Sequence, residues 1–166
     1  MSKQFLTFLG VGLAVIGVGL GVVLVGTKGA HLELTGKILK VRVLPLNERA
    51  SLVVVDFRVT NPADIAFVVN TATITLVPAT GEALEGTPIP KSDLDNVFKY
   101  EKLIGPAFND ALITRDKVAA HATIDRMTAA RFDFPEAEIA NRKSLRLKID
   151  EVDGAIAELT ESTGKK

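Results

Sequence analysis

The chain lacks several of the residue types on which common functions depend. It has no cysteine and no tryptophan, and Tyr100 is its one tyrosine. Without cysteine there is no disulfide and no thiolate metal ligand, so the fold depends on packing and hydrogen bonding alone. The 20 basic and 20 acidic side chains balance to a formal charge of zero. With neither a positive field nor aromatic stacking platforms, we expect no nucleic-acid partner.

Residues that carry chemistry are also sparse. His31 and His121 are the only histidines and lie far apart in the sequence, on predicted strands whose outward faces would expose them to water. No spacing places a nucleophile beside a base. The acidic clusters at residues 93–96 and 150–153 lack the register of a calcium loop, and helix capping and turn formation explain them better. We therefore expect no enzymatic activity, no cofactor and no metal site.

The chain does have a long apolar segment near its N-terminus. Residues 5–26 carry no charge and are followed closely by Lys28. As a helix this segment would be about 33 Å long, enough to cross a hydrocarbon core of about 30 Å. The alternative is a cleaved signal peptide, but the apolar core exceeds the usual length of about 7 to 15 residues and Lys28 is unsuited to a cleavage site at Ala30. We predict one uncleaved transmembrane helix.

This segment divides the chain. We predict an N-terminal tail over residues 1–4, the transmembrane helix over 5–26, a linker over 27–30, a folded domain over 31–160 and a polar tail over 161–166. Positive charges on the two sides of the helix nearly balance, so they leave its orientation open. The short N-terminal tail favours a cytoplasmic N-terminus and an extracytoplasmic domain, periplasmic if the source is bacterial.

Small residues recur on two faces of the predicted helix. The positions are Gly10, Ala14, Gly17 and Gly21 on one face, and Gly12, Gly19 and Gly26 on the other. Gly17 and Gly21 form a GxxxG pair, which lets another helix backbone approach closely. The alternative is that glycine is simply frequent in membrane helices. We predict the lipid bilayer and other membrane-protein subunits as partners.

The folded domain has mainly the alternation of β-strands. In residues 51–60, Val53, Val55, Phe57 and Val59 share one side, which predicts a strand with one buried face. Other strands are predicted over residues 31–44 with a bulge near Gly36, over 65–77, over 118–125, and over 145–159 as a hairpin turning at residues 153–154.

Two segments have helical signals instead. Residues 91–105 place Leu94, Val97 and Phe98 on one face, which predicts a helical insertion capped by Ser92 or Asp93 and ended by Gly105. A short helical turn is predicted from Pro135 to Ile139. Strands with frequent turns and one or two short helices are typical of a β-sandwich.

A resemblance supports this fold. The run Val53-Val-Val-Asp-Phe-Arg-Val-Thr-Asn-Pro62, continued by Ile65-Ala-Phe67 and residues 71–77, resembles the water-stress and hypersensitive-response (WHy) domain of late-embryogenesis-abundant type 2 proteins, in which a strand runs into Asn-Pro. Residues 132–135 with 145–154 are similar to membrane-anchored bacterial immunoglobulin-like domains. The resemblance covers about half of the folded domain. It implies an immunoglobulin-like or fibronectin-like β-sandwich, often behind an N-terminal anchor, and no catalytic residues, with the turn at Asn61 and Pro62 as the shared motif.

One charged stretch is a candidate docking site. The densest basic segment comprises Arg142, Lys143, Arg146 and Lys148. Glu136 and Glu138 partly balance it, so it is either a solvated face or a surface for an acidic partner.

These observations together predict a mainly β, non-enzymatic, single-span membrane protein. Its β-sandwich would be an interaction or structural module, and the chain an accessory subunit of a larger membrane complex. The alternative is a stress-protective or ligand-holding domain of the WHy type. A large apolar cavity between the sheets would favour that alternative, and a filled core would favour the interaction module.

Overall fold

The structure, a computed structural model, describes residues 10, 12, 13, 16–19 and 33–161. Gly10, Gly12, Leu13 and residues 16–19 are helical and exposed. Over the described ranges, no helix is both long and apolar enough to cross a bilayer. The remainder of the predicted transmembrane helix lies outside the described residues, as do the tail at 1–4, the linker at 27–30 and the following named residues: Ala14, Gly21, Gly26 and His31.

The strands of residues 33–161 form two sheets, which confirms the prediction of a mainly β domain. Neighbouring strands in both are antiparallel. The first sheet has the order β1 (Thr35–Asn47), β2 (Ala50–Thr60), β7 (Thr123–Phe132) and β5 (Thr87–Pro88). The second sheet has the order β4 (Leu84–Glu85), β3 (Phe67–Val77), β8 (Ser144–Glu151) and β9 (Ile156–Thr160), with β6 (Lys117–Val118) also beside β3.

Three helical segments connect the strands. They are α1 (Lys91–Tyr100), a 3-10 turn (Lys102–Ile104) and α2 (Glu136–Ala140). The helical insertion and the turn ending near Ile139 are therefore confirmed. The predicted cap of α1 is wrong, because Pro90 precedes the helix and no side chain of Ser92 or Asp93 caps it. Instead, the carbonyl of Pro90 accepts the backbone N–H groups of Asp93 and Leu94 at 3.1 and 3.0 Å.

A continuous core fills the space between the sheets. Alternate residues of β2, β3 and β8 contribute to it, and their side chains are almost completely buried: Val53, Val55, Phe57, Ile74, Leu76, Leu145, Leu147 and Ile149. Two sheets that bury their facing sides against each other form a sandwich. The inward alternation predicted for β2 and β8 is confirmed.

The prediction that β2 buries only one face is wrong. Leu52, Val54 and Asp56 are buried on its other side. The reason is a second core on the outer face of the first sheet, where α1 and the 3-10 turn cover the strands. Its members come from six segments of the chain: Leu44, Leu52, Val54, Leu94, Ile104, Ala111, Met127 and Ala129.

The bulge in β1 lies later than predicted. The register between β1 and β2 shifts between Ile38 and Lys40, whereas Gly36 pairs regularly with Val59. At Gly36 the two backbones approach so closely that an added Cβ would lie 2.1 Å from the carbonyl oxygen of Arg58. Glycine is required there by this close approach rather than by a bulge.

The predicted strand over residues 118–125 is also wrong. The alternation runs across a turn, in which the Ala122 N–H donates to the Ala119 carbonyl at 3.1 Å and His121 has a positive φ of 58°. β6 ends before this turn in the second sheet, and β7 begins after it in the first sheet. The turn therefore carries the chain from one sheet to the other.

Candidate functional surfaces

A buried ion pair lies beneath the insertion. Arg42 of β1 contacts Asp56 of β2 at 2.7 Å, and their side chains are 7% and 3% exposed. The other guanidinium nitrogen of Arg42 donates to the carbonyls of Ile104 at 3.1 Å and Pro106 at 2.8 Å. Asn109 donates its side-chain amide to the second carboxylate oxygen of Asp56 at 2.9 Å. Each partner of the pair therefore also holds the segment that follows α1.

Aromatic rings complete the surroundings of Arg42. Its guanidinium carbon lies 5.0 Å from the ring centroid of Phe98 and 5.2 Å from that of Phe108. A guanidinium at this distance from a ring is attracted by the negative ring face. These contacts fasten the insertion to the sheet, because both terminal guanidinium nitrogens of Arg42 and both carboxylate oxygens of Asp56 have partners within the protein. Nε of Arg42 is buried without a hydrogen-bond partner. Sequence reasoning assigned Asp56 to a solvated face and missed this role.

The insertion exposes large apolar side chains. Tyr100 is 69% exposed, Leu103 89% and Phe108 56%. We call these three residues the insertion surface. Leu103 and Phe108 lie in the segment after α1 that Arg42 and Asp56 hold in place, and Tyr100 is the last residue of α1. Isolated exposed hydrophobic residues are common, but several in one fixed segment are typical of a contact surface.

A hydrogen-bonded turn follows β2 at Asn61 and Pro62. Asn61 is 1% exposed, and its side-chain carbonyl accepts the backbone N–H of Ala63 at 3.0 Å. Its amide donates to the carbonyls of Ile65 at 2.7 Å and Val118 at 3.0 Å. The residue thus forms the turn and also joins it to β6, which explains why asparagine is suited to the end of β2.

The structure pairs most of the basic stretch with carboxylates. Arg142 makes a two-point contact with Glu161, Arg146 lies 3.4 Å from Glu158, and Lys148 lies 2.8 Å from Asp150. The carboxylates come from β8 and β9 and the residue after β9, rather than from Glu136 and Glu138. Lys143 is exposed. This pairing leaves less positive charge for an acidic partner than the sequence suggests.

Glu161 also corrects the predicted boundary of the tail. Its backbone N–H donates to the Leu145 carbonyl at 2.8 Å, in continuation of the pairing between β8 and β9. It therefore belongs to the fold, and residues 162–166 of the predicted tail lie outside the described residues.

The remaining candidates have local partners. Nε2 of His121 lies 2.9 Å from Asp64, and both side chains are exposed. Lys91 contacts Asp95 at 2.6 Å on α1. Glu151 accepts the backbone N–H of Asp153, which confirms turn formation at residues 150–153. Within the described part of the chain, no group of three or more histidine and acidic side chains is placed to hold a metal ion.

A groove of about 660 Å³ opens beside β3. β3 pairs with β8 along one side. On the other side β6 pairs with Phe67 and Val68, and β4 pairs with Thr75 and Leu76. The stretch of β3 between these two pairings, together with residues 88–91, 112–114 and Thr128, lines the groove. We call residues 70–73 the β3 gap. Sequence reasoning did not locate it.

The described residues therefore define a two-sheet, mainly β domain that has a covered outer face and a groove at one edge. Comparison of the chain with known protein families, with curated proteins and with solved structures finds no match.

Proposed function

We propose that this chain is a non-enzymatic, single-span membrane protein whose immunoglobulin-like or fibronectin-like β-sandwich is an interaction module, and that it acts as an accessory subunit of a larger membrane complex. The observation that carries the proposal is the insertion surface. Tyr100 at the end of α1, and Leu103 and Phe108 in the segment after it, are exposed, and a buried ion pair holds that segment.

The energetics favour a protein contact at the insertion surface. Covering apolar area contributes about 25 cal/mol per Å². The segment is already held by Arg42 and Asp56, so binding orders fewer groups and loses less conformational entropy. Aromatic residues are enriched at the centre of protein interfaces, and the insertion surface offers two, Tyr100 and Phe108.

The N-terminal segment supplies the membrane part of the proposal. Leu13, Ile16 and Val18 are helical, and between 60% and 68% of their side-chain surface is exposed. An apolar helix surface of this kind needs lipid or protein around it. We propose that residues 5–26 cross the bilayer with the folded domain on the extracytoplasmic side, and that the glycine faces pack against helices of partner subunits.

Storage of an apolar ligand between the sheets, as in the WHy-type alternative, has less support. Phe57, Phe67 and Leu147 occupy the space between the sheets and are 0% exposed. The groove beside β3 is lined partly by threonine, asparagine and charged side chains. A filled core and a mixed, open groove suit protein contacts better than an enclosed apolar ligand.

The test is extraction of the native membrane in mild detergent, pulldown through a C-terminal tag and mass spectrometry. We expect stoichiometric membrane-protein partners with the natural chain. The Leu103→Asp variant should lose a partner held by the insertion surface, and the double variant Gly17→Leu with Gly21→Leu should lose one held by the helix.

Val152→Asp is the matched control for Leu103→Asp. Val152 is also exposed, at 55%, but lies in the turn between β8 and β9. A chain recovered alone would overturn the accessory-subunit proposal. Equal recovery of partners with Leu103→Asp and Val152→Asp would remove the insertion surface from it.

A further inference from the structure

The β3 gap pairs with β8 on one side and, in the described part of the chain, has no strand partner on the other side. β6 pairs no further than Val68, and β4 begins its pairing at Thr75. Among residues 33–161, no strand pairs with residues 70–73 on this side of β3. At about 3.3 Å per residue the β3 gap is about 13 Å long, which matches roughly four residues of an extended chain.

One residue of the β3 gap, Ala72, directs its backbone N–H and carbonyl into the groove. The Ile74 carbonyl accepts the Gly86 N–H at 2.9 Å on the β4 side. Backbone groups of alternate strand residues face the same side, so the N–H and carbonyl of Ala72 face that side too. Ala72 lies in the lining of the groove. A donor and an acceptor of the sheet ladder are therefore directed at open space.

We propose that the β3 gap is a strand-addition site for an extended, uncharged segment of a partner protein. The segment would lie in line with β4 and β6, antiparallel to β3, and continue the second sheet between them. Main-chain hydrogen bonds to Ala72 would supply affinity, and the walls of the groove would select side chains. This site is separate from the insertion surface and does not depend on the proposed role of that surface.

The lining of the groove specifies the chemistry of the segment. Its walls combine the apolar side chains of Ile89, Leu112 and Ile113 with the uncharged polar residues Thr114 and Thr128. Glu85 and Lys91 are the charged residues of the lining, and Lys91 already contacts Asp95 at 2.6 Å. An occupant with small apolar, threonine or valine side chains would bury without an unpaired charge, whereas a charged segment would lose solvation.

The neighbours of the β3 gap disfavour a second copy of this domain as the occupant. β4 and β6 lie in the same row as the incoming segment, one at each end. Adjacent strands lie about 4.8 Å apart, so a folded sheet edge brought to this distance would meet β4 and β6. A single extended segment fits between them.

The experiment is selection of seven-residue peptides from a random display library on the full chain in detergent micelles. We expect enriched peptides to be uncharged and rich in β-branched residues. An enriched peptide is then synthesised with single backbone N-methyl groups at each position in turn. N-methylation at the one position that donates to the Ala72 carbonyl should weaken binding about five- to tenfold, and at the neighbouring positions it should not.

Two protein variants and one control variant test whether the peptide binds at the β3 gap. Ile113→Lys adds a charge to the groove wall at a side chain that is already 45% exposed, and it should weaken peptide binding. Ile156→Lys is the matched control, because Ile156 is 49% exposed on β9. Ala72→Pro removes the N–H directed into the groove at an edge position that tolerates proline. Thermal melting verifies that each variant is folded.

Several results would overturn the proposal. The proposal fails if no peptide is enriched over empty micelles, or if N-methylation at every position leaves binding unchanged. It also fails if Ile113→Lys and Ile156→Lys bind the peptide equally well. Enrichment of sequences that match residues 162–166 of this chain would assign the site to its own tail instead. Peptide binding should persist in Leu103→Asp, so the β3 gap and the insertion surface are tested separately.

Discussion

The guanidinium of Arg42 lies 2.7 Å from the carboxylate of Asp56, and this buried pair joins the first sheet to the segment that covers it. A buried ion pair contributes little net stability compared with apolar residues of the same volume, because both ions lose their hydration. Its effect here is positional. Arg42 holds two carbonyls after α1, and Asp56 holds Asn109, so the insertion has one defined placement.

Removal of one partner should be far more damaging than removal of both. Asp56→Ala leaves Arg42 buried without its counter-charge, and we expect a loss of about 3–5 kcal/mol in the free energy of unfolding. The double variant Arg42→Met with Asp56→Leu removes both charges and should lose less than Asp56→Ala. Urea unfolding of the full chain in detergent micelles measures both.

The exposed pair between Arg58 and Asp125 provides the control. It joins the same strand, β2, to β7, and its side chains are 50% and 33% exposed. Asp125→Ala should cost much less than Asp56→Ala, because water screens an exposed ion pair. Equal losses for Asp56→Ala and Asp125→Ala would show that burial of the Arg42 pair has no special importance.

The same exposed pair gives a prediction about pH. Hydrogen bonds from Arg58 at 2.6 and 2.7 Å, and then its charge, lower the pKa of Asp125 below the ordinary value of 3.8. A carboxyl whose pKa is lower in the folded state stabilises the fold above the ordinary pKa. That contribution is lost as the pH falls through the folded-state pKa.

Arg58→Met should therefore raise the pKa of Asp125 and weaken the dependence of stability on pH in the acid range below about 3.8. NMR titration of carboxyl carbons in aspartate-labelled chain measures the pKa directly. An unchanged pKa of Asp125 in this variant would mean that the ion pair does not form in solution.

Asn61 should be important for stability although it is a turn residue. Asn61→Ala leaves the buried carbonyl of Val118 without its side-chain donor and removes the acceptor for Ala63. A buried polar group left unpaired costs about 1–3 kcal/mol. Asn61→Asp keeps the acceptor but loses both donors and adds a buried charge, so it should be no milder.

Pro62→Ala is the neighbouring control and should change the free energy of unfolding by less than about 1 kcal/mol, chiefly through the unfolded chain. Thermal and urea unfolding of the three variants gives the comparison. A small loss for Asn61→Ala, similar to that for Pro62→Ala, would argue against the hydrogen-bonded turn.

The inner faces of the strands were predictable because their alternation is local. Val53, Val55 and Phe57 show it within a few residues, and so does β8. The outer core was not predictable in this way, because Leu52 and Val54 are covered by α1, which follows much later in the chain. The polar residues Asp56 and Arg58 on that face favoured the prediction that it faces water, although of these two only Arg58 is exposed.

Breaks between strands were harder to predict than the strands themselves. Residues 118–125 keep their alternation across a turn because alanine suits a buried face, an exposed face and a turn alike. The β3 gap depends on where β4 and β6 stop pairing, and those strands are two residues long each. Such short pairings arise from the crossing of chain segments between sheets and have no periodicity of their own.

Two glycines should differ in their tolerance of substitution. An added Cβ at Gly36 would lie 2.1 Å from the backbone carbonyl oxygen of Arg58 and 3.0 Å from the Val59 Cα. At Gly86 it would lie 2.6 Å from the ring of Phe132 and 2.7 Å from the Ala130 methyl group. At Gly36 the strands would have to separate, because the atoms met belong to the backbone. At Gly86 the Phe132 ring can shift, although the Ala130 Cβ is fixed to its backbone, and the contacts there are less close than at Gly36.

We therefore expect Gly36→Ala to destabilise the fold more than Gly86→Ala. The loss in the free energy of unfolding for Gly36→Ala should lie in the upper part of the range of about 1–3 kcal/mol that is usual for overpacking. Hydrogen exchange of β1 and β2 amides should rise in Gly36→Ala, because opening the end of this strand pair relieves the clash. The double variant Gly86→Ala with Phe132→Leu should lose less than the sum of the two single variants, since the shorter side chain removes the ring that the methyl group meets. Additive losses would contradict the ring contact at Gly86, and a larger loss at Gly86 than at Gly36 would contradict the close approach of β1 and β2 at Gly36.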